Sequence, residues 1–388
     1  MKKFTLVLLA VITTAFVSQA QWLQTAGSEG KKVSCFSYVG TNIFAGTNDG
    51  VLISANGGSN WTLTAKTDVI YSLTSCGTHL FAGNNTDGLS VTTNNGTVWT
   101  SSYNGMTYGH PVVALTTSGA NNYAGSQDGM FISTDTGANW TAINTGLTNF
   151  NITSILAMSP YLSAATNGGG VFASSNNGAS WSATNNGLTN LNVSALCFTS
   201  TYTLYAATAG GVFKFNTGTF TWTAVNNGLT NLNVKSICCS GSVIFAGTTG
   251  GGLFRTNDDG ANWINVKGNL PVSDVISMFV ANTDLIIGTQ SQGAWRCAIS
   301  SLTGIDEINV NDGFALYPNP AKENITVNIN TKESPEVLYI YNALGELVKT
   351  EVLTSVQQKV SVSDLKTGVY FITICSKNSK QTQKLLIR

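Results

Sequence analysis

The segment NIFAGTNDGVLISANGGSNW, residues 42–61, contains the two signals that decide the fold. Its first half predicts two short strands joined by a tight turn, because Asp49-Gly50 can supply the backbone angles that a β-hairpin needs. Its second half has the form Ser/Thr-x-Asp/Asn-x-Gly-x-x-Trp. There the Ser54 hydroxyl and the Asn56 side chain can bond backbone amides inside a turn. Both signals recur along the chain, which predicts an array of small antiparallel sheets.

The hairpin pattern occurs seven times. The copies are NIFAGTNDGVLIS (42–54), HLFAGNNTDGLSV (79–91), NNYAGSQDGMFIS (121–133), YLSAATNGGGVFAS (161–174), TLYAATAGGVFKF (203–215), VIFAGTTGGGLFRT (243–256) and DLIIGTQSQGAWRC (284–297). The turn signal follows five of them, as SANGGSNW (54–61), TTNNGTVW (92–99), STDTGANW (133–140), SSNNGASW (174–181) and TNDDGANW (256–263). After the fifth hairpin, NTGTFTW (216–222) breaks this pattern, and we expect an irregular turn there.

Tryptophan spacing gives the number of sheets. Six Trp residues follow the hairpins with spacings of 38, 41, 41, 41 and 41, at Trp61, Trp99, Trp140, Trp181, Trp222 and Trp263. The seventh hairpin ends at Trp295 and has no such strand after it, whereas QWLQT around Trp22 precedes the first hairpin. We therefore predict an all-β fold with a seven-bladed β-propeller over 21–300, in which the N-terminal strand completes the last blade and removes exposed sheet edges. An open solenoid is the alternative, and it does not explain the displaced strand.

The turn segments resemble the Asp-box, or BNR, repeat of sialidase-like β-propellers, and the resemblance spans most of residues 40–265. It implies that each such turn lies between the third and fourth strands of a blade. The connections between blades, and the turns between second and third strands, would then share the opposite face.

The first twenty residues predict an export signal. Lys2 and Lys3 precede an apolar stretch, which ends before a small-residue cleavage site between Ala20 and Gln21. The stretch is shorter than the ~20 apolar residues that span a bilayer. We expect a signal peptide at 1–20 and a mature chain that passes through the periplasm.

Composition divides the rest of the chain. Residues 21–300 contain eight basic and ten acidic side chains, whereas 301–388 contain nine of each. We expect a linker at 301–312 and a second domain at 313–388. The formal net charge of zero leaves no field that would attract nucleic acid, and we expect a monomer.

The last eighty residues contain FALYPNPAKENITVNI, EVLYIYNALGELV, VSDLKTGVYFITI and QKLLIR, whose period-two alternation predicts strands. This series resembles the type A C-terminal sorting domain of the type IX secretion system, a small β-sandwich. The resemblance implies the secretion machinery as a partner, a secreted or outer-surface location, removal of the tail and attachment to surface lipopolysaccharide in many cases. An ordinary accessory sandwich is the alternative. The matching residues are Tyr317, Pro318, Asn319, Pro320, Gly345, Leu365, Gly368, Val369 and Tyr370.

Enzymatic chemistry has few candidate residues. Residues 21–300 hold only two arginines, Arg255 and Arg296, and one glutamate, Glu29, so the three arginines and Tyr-Glu pair of sialidases cannot be assembled. A glycosidase would need two aspartates beside the scissile bond. The only histidines are His79 and His110, and we expect no metal and no cofactor.

Seven cysteines after an export signal make an odd number. Cys35, Cys76, Cys197, Cys238 and Cys239 all precede a hairpin. We expect buried free thiols, because equivalent positions in adjacent blades are expected to lie beyond the ~4.4–6.8 Å Cα separation of a disulfide. No pairing can be assigned.

The face opposite the Asp-box turns is the candidate binding surface. Amides beside aromatic rings suit a neutral glycan, although the repeated Asn-Gly-Leu-Thr-Asn also fits a turn that simply recurs with its blade. We expect an exported, non-catalytic propeller that binds glycan or protein. The alternatives are a carbohydrate-active hydrolase or lyase that uses Asp pairs on this face, and a surface component without a small ligand. The candidate residues are Tyr108, His110, Asn149, Phe150, Asn190 and Asn231, with Asp49, Asp87 and Asp128 in nearby turns.

Overall fold

The computed structural model describes residues 21–271, 274–302, 314–329, 336–343, 345–375 and 380–388. The expected signal peptide, including Ala20, and residues 303–312 of the expected linker lie outside these ranges. The chain forms two compact units, Met1–Gly304 and Ile305–Arg388. The only helix among the described residues is the 3-10 turn Ile299–Ser301, and none found there is long and apolar enough to cross a membrane. The predicted all-β fold class is confirmed.

The first unit consists of four-stranded antiparallel sheets, seven of them in the described residues. Sheet 1 contains β2 (Val33–Val39), β3 (Asn42–Thr47), β4 (Gly50–Ser54) and β5 (Thr62–Leu63). Sheet 2 contains β6 (Ile70–Cys76), β7 (His79–Asn84), β8 (Leu89–Thr92) and β9 (Thr100–Ser101). Sheet 3 contains β10 (Ala114–Ser118), β11 (Asn121–Ser126), β12 (Gly129–Ser133) and β13 (Thr141–Ala142). Sheet 4 contains β14 (Ile152–Met158), β15 (Tyr161–Thr166), β16 (Gly170–Ser174) and β17 (Ser182–Ala183).

Sheet 5 contains β18 (Val193–Phe198), β19 (Leu204–Thr208), β20 (Gly211–Asn216) and β21 (Thr221–Ala224). Sheet 6 contains β22 (Val234–Ser240), β23 (Val243–Thr248), β24 (Gly252–Thr256) and β25 (Ile264–Asn265). Sheet 7 contains β26 (Val275–Ala281), β27 (Asp284–Thr289) and β28 (Ala294–Ala298), and its fourth strand is β1 (Leu23–Gln24). From sheet 1 to sheet 7, the first strand of each sheet in the order given above (β2, β6, β10, β14, β18, β22 and β26) packs against the first strand of the next sheet. The first strand of sheet 7, β26, also packs against β2 of sheet 1.

The N-terminal segment joins the two ends of this unit. Leu23 pairs with Arg296 and Gln24 with Trp295. The Trp22 side chain is only 1% exposed, and its indole N–H donates to the Val266 carbonyl at 3.3 Å. Burial of so large a ring removes about 150–250 Å² of mostly apolar surface from water, so this short strand is anchored mainly by its tryptophan.

The turns after the hairpins are built by their own side chains. In sheet 3 the Ser133 hydroxyl donates to Asp135 at 2.8 Å and accepts from the Gly137 amide at 2.8 Å, while Asp135 accepts from the Asn139 amide at 2.9 Å. The same pattern recurs in sheets 1, 2, 4 and 6. Sheet 5 differs, since Asn216 accepts from two amides of a shorter turn.

Two of the tryptophans that end these turns, Trp181 and Trp263, fill the gap to the preceding sheet and bond across it. Trp181 and Trp263 are 4% and 3% exposed. Their indole N–H groups donate to the carbonyls of Ile143 and Val225, each at 2.7 Å. The ring therefore supplies apolar packing and one directional bond at the boundary between two sheets.

The six cysteines whose side chains the structure describes are free thiols, in line with the expectation. Cys35 is a buried thiol whose pKa burial raises to about 12. The Sγ atoms of Cys197 in sheet 5 and Cys239 in sheet 6, however, lie only 2.7 Å apart. The two positions are offset by one residue from strict equivalence, because Cys197 pairs with Tyr205 and it is Cys238 that holds the matching place in β22. Side chains on adjacent strand positions point to opposite faces, so Cys239 turns back toward sheet 5.

The second unit is a sandwich of two antiparallel sheets. Three strands, β29 (Ala315–Tyr317), β30 (Asn324–Asn328) and β33 (Gln357–Ser361), form one sheet. Four strands, β31 (Glu336–Asn342), β32 (Leu347–Leu353), β34 (Gly368–Cys375) and β35 (Lys380–Ile387), form the other in the order β32-β31-β34-β35. Alternate residues of both sheets enclose an apolar core that includes Ile325, Leu338, Ile372 and Leu385, each 0% exposed.

Candidate ligand-binding mouth

One face of the first unit carries the connections between sheets and the turns between second and third strands; we call it the mouth face. Hydrogen bonds tie these two kinds of loop together. The amides of Gly168 and Gly170, in the turn of sheet 4, both donate to the Leu191 carbonyl in the connection to sheet 5 at 3.0 Å. The Gly250 amide in sheet 6 donates to the Asp274 carboxylate at 2.7 Å. The Ser/Thr-x-Asp/Asn turns lie at the other ends of the strands, on the opposite face.

A cavity of about 500 Å³ opens on the mouth face where the first strands of the sheets begin. Its wall includes residues at the same place in several sheets, namely Ser34, Tyr71, Val113, Lys235 and Ile276. In four of the sheets the strand register shifts at this residue, for example between Val33 and Cys35 and between Val234 and Ser236. A β-bulge of this kind leaves one residue unpaired and re-aims its side chain. The cavity is thus lined by bulge residues, which strand periodicity alone does not reveal.

The cavity combines positive charge with apolar wall. Lys32 and Lys235 line it together with a single carboxylate, Asp274. Within the described part of the chain, neither lysine forms a salt bridge. The Tyr71 ring and the Val113 and Ile276 side chains supply the apolar area. A ligand with a negatively charged group beside an apolar part would match this surface.

The three predicted asparagines lie on the mouth face and shape its loops. The Asn149 carbonyl oxygen accepts from the Asn151 amide at 2.9 Å, and its amide group donates to the Asn167 carbonyl at 3.2 Å. Asn231 makes the matching bonds to Asn233 and Thr249 at 2.9 and 2.8 Å. Asn190 accepts from the Asn192 amide at 3.0 Å. These bonds hold the three side chains within their own loops, and none of the three lines the cavity.

The predicted aspartates on this face each have a polar partner. Asp49 accepts from Lys31 at 2.7 Å. His110 Nδ1 and Asp128 lie 2.6 Å apart. Asp87 accepts from the hydroxyls of Ser90 and Ser101 and lies 3.8 Å from the Lys66 ammonium.

Lys66 also holds Asp68, at 2.6 Å. Partial burial raises the pKa of Asp68, but hydrogen bonds from Lys66 and Thr86 and the Lys66 charge outweigh that effect, so the pKa of Asp68 lies below its ordinary value. No described group of three or more His, Cys, Asp or Glu could hold a metal ion.

Exposed apolar side chains form an arc on the mouth face that the sequence only partly indicated. Tyr108 and Phe150, both predicted, are 65% and 46% exposed. Leu191 and Leu232 occupy the place of Phe150 in the next two connections and are 39% and 43% exposed. The sequence contains a signal for Leu191 and Leu232, which were not predicted, since NFN, NLN and NLN recur in the same loops.

In the second unit, Asn319 is bonded to the chain's last strand, β35. The Asn319 side chain donates to the Lys384 carbonyl at 2.8 Å and accepts from the Leu386 amide at 2.9 Å. Pro318, Pro320 and Arg388 line a cavity of about 590 Å³. The Tyr370 hydroxyl donates to the Lys366 carbonyl at 2.9 Å, Gly345 has a φ of 84°, and Gly368 begins β34.

Residues 315–388 match the family model of the secretion system C-terminal sorting domain. The protein is a cargo of type IX secretion. The sorting domain indicates export to the cell surface or secretion, which confirms the predicted location. Beta-agarase A of Zobellia galactanivorans is 37% identical over 65 residues, which are 17% of this chain and 12% of that enzyme. The match spans only a small part of that relative's length.

Solved structures resemble most of the exported chain. PorZ, described as an essential bacterial surface component of the type IX secretion system of Porphyromonas gingivalis, is 13% identical, with a TM-score of 0.56 over 94% of this chain and 60% of PorZ. YCF48 from Cyanidioschyzon merolae is 14% identical, with a TM-score of 0.59 over 72% of this chain and 99% of YCF48. A structure of YCF48 bound to D1 peptide is 15% identical, with a TM-score of 0.60 over 74% of this chain and 96% of that chain. At these identities the likeness shows the fold, a β-propeller.

Proposed function

We propose that this type IX cargo is a non-catalytic β-propeller that binds a protein or glycan ligand through its mouth face. The observation that carries the proposal is the cavity there, which places two lysines without salt bridges among the described residues beside Tyr71 and two aliphatic side chains. Such a surface selects for a carboxylate attached to an apolar group. Its ring of equivalent positions also offers similar contacts from several sheets at once.

Protein is the better-supported ligand class. The exposed arc of Tyr108, Phe150, Leu191 and Leu232 contains two leucines, which pack well against peptide side chains but lack the flat ring that stacks on a sugar. An acidic, extended peptide segment would place carboxylates near Lys32 and Lys235 and apolar side chains against the arc. A structure of similar fold, YCF48, has been solved with D1 peptide bound, which supports a peptide as the ligand class. An acidic glycan is the second ligand class that suits the lysines.

The hydrolase alternative has less support. A glycosidase needs one carboxyl group that keeps its proton near neutral pH, so its pKa must be raised. Among the described aspartates whose pKa is displaced, Asp68, Asp135, Asp258 and Asp364 all have it lowered. The mouth-face aspartates also have lysine, serine or histidine partners. The proposal also includes four further assignments: cleavage after Ala20, Asp-box identity of the turns, a monomeric state and attachment to surface lipopolysaccharide.

The test is a direct comparison of binding with turnover. The purified chain from Gln21 onward is applied to a peptide array, graded in acidic content, and to a glycan array with neutral and uronic-acid members. A panel of chromogenic glycosides is assayed in parallel. The proposal predicts retention of acidic peptides or acidic glycans without release of chromophore. Turnover that a single Asp→Asn change abolishes would replace it with the hydrolase function, and failure to retain any array member would contradict it.

A further inference from the structure

The pair Cys197–Cys239 stands out from the other described cysteines because its sulfur atoms are only 2.7 Å apart. This lies between the ~3.5–4.0 Å at which even non-bonded carbon atoms rest in contact and the ~2.05 Å length of a disulfide bond, although the structure holds both as free thiols. We propose that Cys197 and Cys239 form a disulfide bond in the exported protein, which staples the first strands of sheets 5 and 6 together.

The strand geometry explains why this pair meets and its neighbours do not. Cys197 lies in β18 at the position that faces the following sheet, and it belongs to the apolar cluster between sheets 5 and 6. Cys239 packs against that same cluster. Cys238, one residue earlier, packs instead against the cluster that contains Trp22 and Trp295, at the boundary with sheet 7. The doublet Cys238–Cys239 thus presents one thiol to each neighbouring sheet.

The export route supplies the required redox conditions. Disulfides form and persist in the periplasm and at cell surfaces, whereas cytosolic thiols stay reduced. The oxidant is a disulfide of the thiol–disulfide oxidoreductase class. The thiolate of Cys239 attacks one oxidant sulfur and releases the other as a thiolate, and Cys197 then attacks the mixed disulfide at the Cys239 sulfur. In total two protein thiols lose two electrons and two protons, and the oxidant disulfide is reduced to two thiols.

Burial determines when this exchange occurs. Burial is the largest effect that raises the pKa of Cys197 well above its ordinary value, and the neighbouring thiols of Cys239 and Cys238 raise it further. A thiol with a raised pKa has little thiolate at neutral pH and exchanges slowly. The bond therefore forms while sheets 5 and 6 are still assembling, and protein that folds in a reduced state oxidises slowly afterwards.

Thiol counting and peptide mapping test the proposal on the full chain, recovered after export from its own cells. The protein is denatured without reductant, alkylated and digested, and peptides are fragmented to separate Cys238 from Cys239. We expect a linked Cys197–Cys239 peptide that reductant separates. The C238S variant keeps the link, and the C239S variant loses it. Full alkylation of Cys197 and Cys239 in the unreduced wild-type protein would overturn the proposal, as would a link through Cys238; this readout does not depend on any variant folding.

Thermal stability provides a second, independent readout. A disulfide that closes the loop from 197 to 239 constrains the unfolded chain, so we expect reductant to lower the melting temperature of the wild-type protein by roughly 4–8 °C. The C238S variant should show the same drop. The C197A and C239A variants should show none, and a reductant effect of equal size in those two variants would contradict the assignment.

Discussion

The hydroxyl of Ser277 donates a 2.7 Å hydrogen bond to the carbonyl of Val33, although 244 residues separate them in the chain. Ser72 and Ser236 make the same bond to Val112 and Val275, from one sheet to the next along the chain. The junction between the last and the first sheet therefore has the same innermost bond as junctions between consecutive sheets. A buried bond of this kind contributes about 1 kcal/mol, so most of the junction's stability must come from the packing around it.

Trp22 should anchor the N-terminal strand, since it packs in the apolar cluster between sheets 6 and 7. Trp22 is 1% exposed, so Trp22→Ala leaves a large cavity at the boundary between sheets 6 and 7. We expect a loss of about 3–5 kcal/mol in the free energy of unfolding, measured by urea denaturation. Leu23→Ala, at a position 58% exposed in the same strand, is the matched control and should change stability by less than about 0.5 kcal/mol. Equal effects of the two changes would contradict anchoring through Trp22.

Asp135 should make the stability of the fold decrease as the pH falls. Hydrogen bonds from the Asn139 side chain and amide, and from Ser133, lower the pKa of Asp135 to about 2. Because the folded-state pKa lies below the unfolded value of ~3.9, the ionised carboxylate stabilises the fold above pH 4, and this contribution disappears as the pH falls toward 2. Asp135→Asn should therefore lose less stability than the wild-type protein between pH 5 and pH 2.5, in urea midpoints followed by circular dichroism.

The chain provides the reciprocal control for this prediction. Asn176 occupies the same place in sheet 4 and accepts from the Ser180 amide at 2.9 Å. Asn176→Asp should add acid sensitivity over the same pH range. Parallel pH profiles for the wild-type protein and both variants would mean that these turns do not set the acid response.

Removal of residues 310–388 should stop export at the periplasm. The deleted segment includes the whole matched sorting domain, 315–388, and the first compact unit ends at Gly304. Cell fractionation with an antibody against the propeller should find the truncated chain inside the outer membrane and the full chain outside it. Normal surface display or release of the truncated chain would contradict the assignment of the tail.

Lys32 and Lys235 should dominate the affinity for any acidic ligand recovered from the arrays. We expect the double change Lys32→Ala and Lys235→Ala to weaken binding at least tenfold at low salt, with a smaller difference at high salt because the interaction is electrostatic. Lys214→Ala is the matched control, since Lys214 pairs with Asp259 at the opposite face. Calorimetric titration measures the three affinities. An equal loss in the control would show that net charge, not the cavity, determines binding.

The repeated architecture was readable from the sequence because its signals are local. Each Ser/Thr-x-Asp/Asn turn lies within eight residues and recurs with the regular Trp spacing, and the structure shows the repeated four-stranded sheets that they predict. The cavity was not readable, because Ser34, Tyr71 and Lys235 reach it through bulges, and a register shift changes which side a residue faces without altering the apolar pattern. The Cys197–Cys239 contact was not predicted, because the expectation concerned equivalent positions in adjacent blades and these two cysteines are offset by one residue.

Hydrogen–deuterium exchange of the chain with its best array ligand tests the central claim most directly. Binding at the mouth face predicts slower exchange in the peptides that contain Lys32–Ser34, Tyr71, Lys235 and Asp274–Ile276. The Ser/Thr-x-Asp/Asn turns of the opposite face, such as residues 133–140, should exchange as in the free protein. Protection confined to those turns, with unchanged exchange around the cavity, would contradict the proposed binding face.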